Sequence, residues 1–378
     1  MPRWLYYCMG LAIVAPILNF IWGPQQAALA IFICTIIALI PLAAVIGQST
    51  EDLEHYVGPV AGGLLNATFG NAPELIIGLF ALDEGLIGVV KASITGSIIS
   101  NSLLVLGSAL ALGGWRWGRQ YFSSGDAGQF SAMMLLAVAG LLIPTTGSLV
   151  IHDPARLHSV SLAIAIVLLV VYVLYLLAHV FRVRSERRDP AHKGKTAQRL
   201  PQPASKVEEE EEAFTGQTSV TNAKHPKLWV TLLFLLIATL GTAWNSELLV
   251  GTIEPVTKIL GWTPVFVGLV IIPIVGNAAE HSSAIYIAMR DRVDLSMAIA
   301  AGSSIQVATF VAPVLVIAGL FLPFHLDLVF QPLELVILGV AVILFSIVSL
   351  DGESSWLAGI QLVAVYVIAC IVFFFIPG

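Results

Sequence analysis

Apolar runs of about 20 residues recur along nearly the whole chain. A helix of that length crosses the roughly 30 Å of hydrocarbon in a bilayer. Short alternating segments, which are typical of outer-membrane barrels, do not occur. The pattern predicts an all-α integral membrane protein with about eleven transmembrane helices. Their predicted bounds are 4–22, 26–48, 56–82, 86–113, 128–148, 157–181, 227–245, 262–289, 294–320, 330–349 and 355–376.

Composition supports the same class. The 378 residues are 57% hydrophobic and 11% charged, with a mean hydropathy of +0.90, whereas soluble domains are roughly 25% charged. No basic patch indicates nucleic-acid binding. The only long hydrophilic stretch, 182–226, is basic first and then acidic, with five consecutive glutamates at Glu208, Glu209, Glu210, Glu211 and Glu212.

The distribution of Lys and Arg predicts the orientation. If the N-terminus is cytoplasmic, fifteen basic residues fall in cytoplasmic loops and at their edges, and two, Arg156 and Lys258, fall on the opposite side. Lys91 lies within a predicted span. The positive-inside rule therefore predicts a cytoplasmic N-terminus and a C-terminus on the other side.

The chain contains an internal repeat. Gly-Asn-Ala-Pro-Glu at 70–74 recurs as Gly-Asn-Ala-Ala-Glu at 276–280, and Gly96-Ser97 recurs as Gly302-Ser303; both offsets are 206 (276 − 70 and 302 − 96). Two matches at one offset indicate duplication. Spans two to six then correspond to spans seven to eleven. Because five is odd, the second copy crosses in the opposite direction, as in secondary transporters that bind substrate at the midplane.

This repeat predicts four parts. They are a leading transmembrane helix (1–25), a first membrane repeat (26–181), a cytoplasmic linker (182–226) and a second membrane repeat (227–378).

Glu74 and Glu280 are the candidate functional residues, because an ionised carboxylate within a span costs at least ~2.5–3.5 kcal/mol and needs a partner. Each shares a helix face with an asparagine three residues earlier, Asn71 or Asn277. These oxygen donors suit Ca²⁺, Mn²⁺ or Mg²⁺ better than Zn²⁺ or Cu⁺. Further oxygen donors nearby are Asn66, Ser97, Ser100, Asn101, Ser303 and Gln306.

Helix-breaking residues lie beside both carboxylates. Gly70 and Pro73 precede Glu74 within the first motif, and Pro273 and Gly276 precede Glu280. A disrupted turn frees backbone carbonyls, which at membrane depth are tolerated where they line a cavity or bind an ion. The carbonyls of Gly70 and Gly276 are therefore candidate ligands.

Two carboxylates also suggest a mechanism of exchange. Their charge of −2 is neutralised by one divalent cation or by two protons, so Ca²⁺ and H⁺ would compete. His281, directly after Glu280, is a second candidate for titration near neutral pH. A packing role for this histidine is an equal alternative.

At these motifs the sequence resembles the calcium/proton exchanger family of the calcium/cation antiporter superfamily. Residues 62–76 resemble the first repeat motif of that family, and residues 276–281 resemble the second. The resemblance implies one leading helix followed by two inverted five-helix repeats. It also implies that Glu74, Glu280 and the glycine carbonyls bind calcium, with Asn277, Ser97 and Gln306 close to the ion.

Other readings remain open at this stage. A sodium/calcium exchanger and a manganese/proton exchanger belong to the same superfamily. An intramembrane hydrolase using His281 and a neighbouring serine is a remote alternative, because adjacent residues on one helix point in different directions. The Glu208–Glu212 run is either a regulatory cation site or a solvated linker.

The expected partners are Ca²⁺, H⁺ and the lipid bilayer, with a homo-oligomer left open. No cofactor is expected, because Ca²⁺ is the transported substrate. The expected location is the cell inner membrane in a prokaryote or the vacuolar membrane in a eukaryote.

Overall fold

The fold is a bundle of apolar helices. The computed structural model describes the backbone of residues 3–188 and 227–376, and their side chains except those of residues 3–9, 54–55, 58–64, 66–67 and 179–188. The helices are α1 (Arg3–Gln26), α2 (Ala28–Phe69), α3 (Ala72–Asp83), α4 (Ile87–Trp117), α5 (Ser124–Gly147), α6 (Pro154–Arg188), α7 (Leu228–Leu260), α8 (Pro264–Gly276), α9 (Ala278–Ala288), α10 (Val293–Phe321), α11 (Pro332–Leu350) and α12 (Trp356–Phe375).

Fewer helices have the length and composition needed to cross a membrane than the sequence predicts. Among the described residues, eight helices are long and apolar enough to span a bilayer, and the bent pair α8–α9 makes a ninth. The predicted boundary between spans two and three is wrong, because α2 continues through residues 48–56 for a total of 42 residues. No proline lies between Pro41 and Pro59, so nothing interrupts helical hydrogen bonding through the polar residues.

Two helices form the centre of the bundle. Within its most apolar window, α4 is 83% buried and α10 is 61% buried, whereas α5, α6, α7, α11 and α12 are 22–39% buried. Outer helices of a membrane protein present their apolar faces to lipid, so partial burial is expected there. The central pair is therefore where a transport site has to be sought.

Loops gather at two opposite ends of the bundle. At the Trp117 end (residues 117–123, 289–292 and 351–355), the strands β1 (Gln120–Tyr121) and β2 (Glu353–Ser354) pair antiparallel. There Trp117 Nε1 donates to the Met289 carbonyl over 2.9 Å. At the Phe324 end (residues 84–86, 148–153 and 322–331), Gly85 lies against the Phe324 ring.

These contacts fix the relative direction of the central helices. Helix α4 begins at the Phe324 end and finishes at the Trp117 end, while α10 begins beside Arg292 and finishes at the Phe324 end. The two helices occupy equivalent positions in the repeats, 206 residues apart. Their opposite directions are what an inverted repeat requires.

One helix crossing in the core depends on glycine. A Cβ at Gly96 of α4 would lie 2.2 Å from the Leu269 carbonyl oxygen of α8, and a Cβ at Gly268 would lie 2.7 Å from the Val89 carbonyl oxygen. Small residues at such crossings allow two backbones to approach closely. The first repeat is thereby held directly against the second.

The predicted orientation can be tested by labelling with a membrane-impermeant maleimide. Arg119→Cys at the Trp117 end and Val150→Cys at the Phe324 end place single thiols at exposed positions, in a background lacking Cys8, Cys34 and Cys370. We expect labelling of intact cells at position 150 and labelling at position 119 only after permeabilisation, because the basic loops are predicted to be cytoplasmic. Equal labelling of both thiols in intact cells would contradict the predicted topology.

Candidate functional site

Both repeats contain a helix broken next to the motif glutamate. Helix α2 ends at Phe69 and α3 begins at Ala72, while α8 ends at Gly276 and α9 begins at Ala278 with a bend of 60°. Asn71 (φ −100°, ψ 17°) and Asn277 (φ −95°, ψ 12°) have nearly the same backbone conformation at the two breaks. The repeated sequence thus produces a repeated local structure.

The two glutamates occupy the same position relative to these breaks. Glu74 is the third residue of α3 and Glu280 is the third residue of α9. Each carboxylate therefore belongs to a first helical turn, where the unsatisfied N–H groups and the helix dipole favour negative charge. The broken helices partly offset the cost of placing acidic groups in the membrane.

The fold brings the two motifs together. A Cβ built on Gly276 would lie 3.1 Å from Glu74 Oε1 and 3.2 Å from Glu74 Cδ, so the carboxyl group of the first repeat packs on the backbone of the second. Glu74 is only 7% exposed. The Oε2 atoms of Glu74 and Glu280 are both buried, and neither accepts a hydrogen bond within the described part of the chain. The two glutamates are close enough to interact electrostatically, in the polar region where the two motifs meet.

Neutral side chains from α4 and α10 join this region. Asn277 Nδ2 donates to Ser97 Oγ over 3.3 Å, and Ser303 Oγ donates to Asn277 Oδ1 over 3.2 Å. Asn101 Nδ2 donates to Ser303 Oγ over 2.9 Å. In the first motif, Asn71 Nδ2 donates to Gln306 Oε1 over 2.5 Å. These bonds connect residues of both repeats, most of them about 180 to 235 positions apart.

Two further candidates lie at the edge of this network. His281 Nε2 is 3.2 Å from Asn101 Oδ1, which connects the histidine to the amide of α4. Ser100 is buried, and its hydroxyl has no hydrogen-bond partner in the described ranges. The Asn66 side chain and the Glu208–Glu212 run lie outside the described residues.

One backbone feature shared by the two repeats has no clear signal in the sequence. Helix α4 contains a π-helical segment at Ser100–Val105, and α10 contains one at Val307–Val311, an equivalent position in the repeat. Such segments often occur at functional sites because they displace the helical register of neighbouring side chains. Neither segment contains glycine or proline, so the only signal in the sequence is the run of polar residues Ser97 to Asn101 and Ser303 to Gln306.

The donor set consists of hard oxygen atoms. No group of three or more His, Cys, Asp or Glu side chains suited to a metal ion occurs in residues 3–188 and 227–376. Two carboxylates together with amide, hydroxyl and backbone oxygens are nevertheless the ligands that Ca²⁺ accepts in a flexible shell of six to eight. A transported ion also has to leave again, which a denser cage of carboxylates would hinder.

Comparison with known proteins identifies the family. The family model described as sodium/calcium exchanger protein matches residues 27–181 and 230–375. The chain is 44% identical to a Ca²⁺/H⁺ antiporter of Synechocystis sp., covering 94% of this chain and 92% of that protein. It is 42% identical to the Ca²⁺/H⁺ antiporter ChaA of Bacillus subtilis, covering 93% of each, and 40% identical to a vacuolar calcium ion transporter of Schizosaccharomyces pombe, covering 95% and 81%.

Solved structures agree with this assignment. Native YfkE has a TM-score of 0.78 and 35% identity, with 98% of each chain covered. The H⁺/Ca²⁺ exchanger CAX has a TM-score of 0.69 and 16% identity, covering 99% of this chain and 88% of that one, and therefore supports the fold alone. The protein is thus a secondary transporter and not an enzyme, which excludes the hydrolase reading. The chain belongs to the sodium/calcium exchanger protein family, within its calcium/proton exchanger branch.

Proposed function

We propose that this protein exchanges Ca²⁺ for H⁺ through a midplane site containing Glu74 and Glu280. The observation that carries the proposal is the packing of the Glu74 carboxyl group on Gly276, at the helix break that precedes Glu280. Each of the two glutamates has a buried Oε2 atom that accepts no hydrogen bond from the described residues. Glu74 is buried and Glu280 has a buried Oε2 atom, so keeping both carboxylates ionised without a counter-charge is strongly unfavourable. One Ca²⁺ or two H⁺ neutralise the pair, so binding of one ion displaces the other.

The neutral oxygen donors complete the proposed calcium site. Asn71 and Asn277 lie at the breaks, and Ser97 and Gln306 approach them from α4 and α10. We infer that these side chains, together with the carbonyls of Gly70 and Gly276, replace water around the ion. When protons occupy the carboxylates, the same side chains hydrogen-bond to each other, as in the pairs described above.

Alternating access is supported by a difference between the two repeats. Gly96 of α4 is packed against α8, whereas a Cβ at the equivalent Gly302 of α10 meets no atom within 4 Å among the side chains that the structure describes. Among the described side chains, the two repeats therefore differ in packing at corresponding positions. If the repeats exchange these packings, the site opens to the other side, which is the rocking motion of inverted-repeat transporters.

Transport in proteoliposomes tests the proposed coupling. We expect an outward-directed proton gradient to drive Ca²⁺ uptake, because both ions neutralise Glu74 and Glu280. Uptake is measured with a calcium-sensitive dye, and protein-free liposomes are the control. Sodium and manganese are tested in the same vesicles with the pH clamped. Calcium uptake that follows a sodium gradient under those conditions would instead assign sodium/calcium exchange.

A further inference from the structure

A second group of ionisable side chains lies near the Phe324 end of the bundle, outside the carboxylate site. Lys91 of α4 is 2.6 Å from Asp327 in the α10–α11 loop and also donates to the Val329 carbonyl over 2.7 Å. Glu334, in the first turn of α11, is close enough to Lys91 to interact with it electrostatically. The proposed exchange at Glu74 and Glu280 uses none of these residues.

Glu334 is the most deeply buried member of this Lys91 cluster. It is 1% exposed, compared with 16% for the side chain of Lys91 and 38% for that of Asp327. The ion pairs within the described ranges include Lys91 with Asp327 but none with Glu334. One lysine neutralises one carboxylate. An ionised Glu334 would therefore leave a net negative charge buried, which is strongly unfavourable.

The hydrogen bonds of Thr95 indicate where a proton resides. Thr95 Oγ1 lies 3.2 Å from the carbonyl oxygens of Lys91 and Ala92, and 3.3 Å from Glu334 Oε2. A hydroxyl group has one hydrogen, which in a helix is commonly donated to the carbonyl of the preceding turn. With that hydrogen donated within the helix, a protonated Glu334 can donate to Thr95 Oγ1 across the 3.3 Å contact. An ionised Glu334 would instead need the only hydrogen of the hydroxyl group, at the expense of the helix carbonyls.

The surroundings of Glu334 provide little further charge. The N-terminus of α11 favours a carboxylate, but this contribution is smaller than the cost of burying an unpaired ion. Helix α5, which packs against α11, has Asp126 near its other end, and α12 has Tyr366 and Cys370 as its ionisable residues. On α4, only Lys91 and the distant Arg116 are ionisable, and the adjoining loop contributes Asp327 and His325.

The cluster is connected both to solvent and to the helix that carries the transport site. Asp327 is partly exposed and pairs with Lys91, which interacts electrostatically with the buried Glu334. On α4, Thr95 and Ser97 are two positions apart and therefore point to roughly opposite sides of the helix. Helix α4 thus lies between this cluster and the network around Asn277 and has polar contacts with both.

We propose that Glu334 is a second proton-binding residue of this exchanger. It holds a proton in the conformation described here and exchanges that proton with the solution at the Phe324 end through the Lys91–Asp327 pair. On release, the proton passes to solvent and Lys91 is shared between the two carboxylates. The role of Glu334 in transport rests on the proposed Ca²⁺/H⁺ exchange. The protonation of Glu334 does not, because it is independent of calcium.

Infrared spectroscopy of the purified full-length protein in detergent tests the protonation directly. We expect a carbonyl stretching band of a protonated carboxyl group that is lost in Glu334→Gln. The matched control is Glu353→Gln, which removes an exposed, arginine-paired carboxylate at the Trp117 end and should leave the band unchanged. If Glu334→Gln does not fold, Thr95→Val should shift the band by removing its hydroxyl partner. An unchanged spectrum in a folded Glu334→Gln protein would overturn the proposal.

Transport then tests whether the proton moves. In proteoliposomes, we expect Glu334→Gln to shift the pH dependence of exchange when pH is varied at the Phe324 end, with calcium affinity unchanged. Glutamine preserves the shape of the side chain, so a merely structural role would leave the pH profile unmoved and would overturn the proposal. Absence of exchange in the wild-type protein would refute the proposed function, whereas the infrared result would stand separately.

Discussion

Glu74→Gln and Glu280→Gln are each expected to abolish Ca²⁺/H⁺ exchange. Glutamine nearly preserves the shape of the side chain but removes the charge that a divalent cation and a proton share. One remaining carboxylate cannot neutralise Ca²⁺, and the exchange of one ion for the other loses its basis. The measurement is proton-driven calcium uptake in proteoliposomes, after each variant has been shown to be monodisperse in detergent. Exchange at the wild-type rate in either folded variant would contradict the two-carboxylate mechanism.

Variants of the neutral ligands are the matched controls for this experiment. Ser97→Ala and Gln306→Ala each remove one oxygen of the network, next to Asn277 and Asn71 respectively. Water can replace one neutral ligand of an ion that accepts six to eight. A lost hydrogen bond costs about 1 kcal/mol, so we expect calcium affinity to fall roughly five- to tenfold while exchange continues. Complete loss of exchange would assign these residues a larger role.

The candidate carboxylates are easier to recognise in the sequence than the helix boundaries are. Glu74 and Glu280 are recognisable because acidic residues are rare in apolar spans and because the motif recurs after 206 residues. The parity of the repeat also predicts the opposite directions of α4 and α10. The length of α2 was not predicted, because the polar residues at 48–52 suggest a loop. A helix accommodates these residues as long as its backbone remains hydrogen-bonded.

Contacts between distant residues account for most of what the sequence does not reveal. Glu334 and Thr95 are 239 positions apart, and nothing near either residue identifies the other as its partner. The π-helical segments likewise carry no glycine or proline that would mark them in the sequence. The pairing of Asn71 with Gln306 follows only when the two repeats are placed face to face.

Gly96→Ala is expected to destabilise the fold strongly. The added Cβ would lie 2.2 Å from the carbonyl oxygen of Leu269 and 2.7 Å from its Cα. These are backbone atoms, which cannot rotate away, so α4 and α8 would have to separate. Overpacking of this kind costs about 1–3 kcal/mol and occasionally more. We expect a clear loss of thermal stability in detergent and reduced recovery of monodisperse protein.

Gly302→Ala is the matched control for this prediction, because Gly302 is the equivalent residue of the second repeat. No atom of the described side chains or backbone lies within 4 Å of the position of its added Cβ. We expect this variant to match the wild-type protein in thermal stability. If the repeats exchange their packing during transport, however, Gly302 becomes the crowded position in the opposite state. A stable Gly302→Ala protein with slow exchange would then support alternating access. Equal stability of the Gly96→Ala and wild-type proteins would show that the α4–α8 crossing is looser than described. It would also remove the packing difference between Gly96 and Gly302 that supports alternating access.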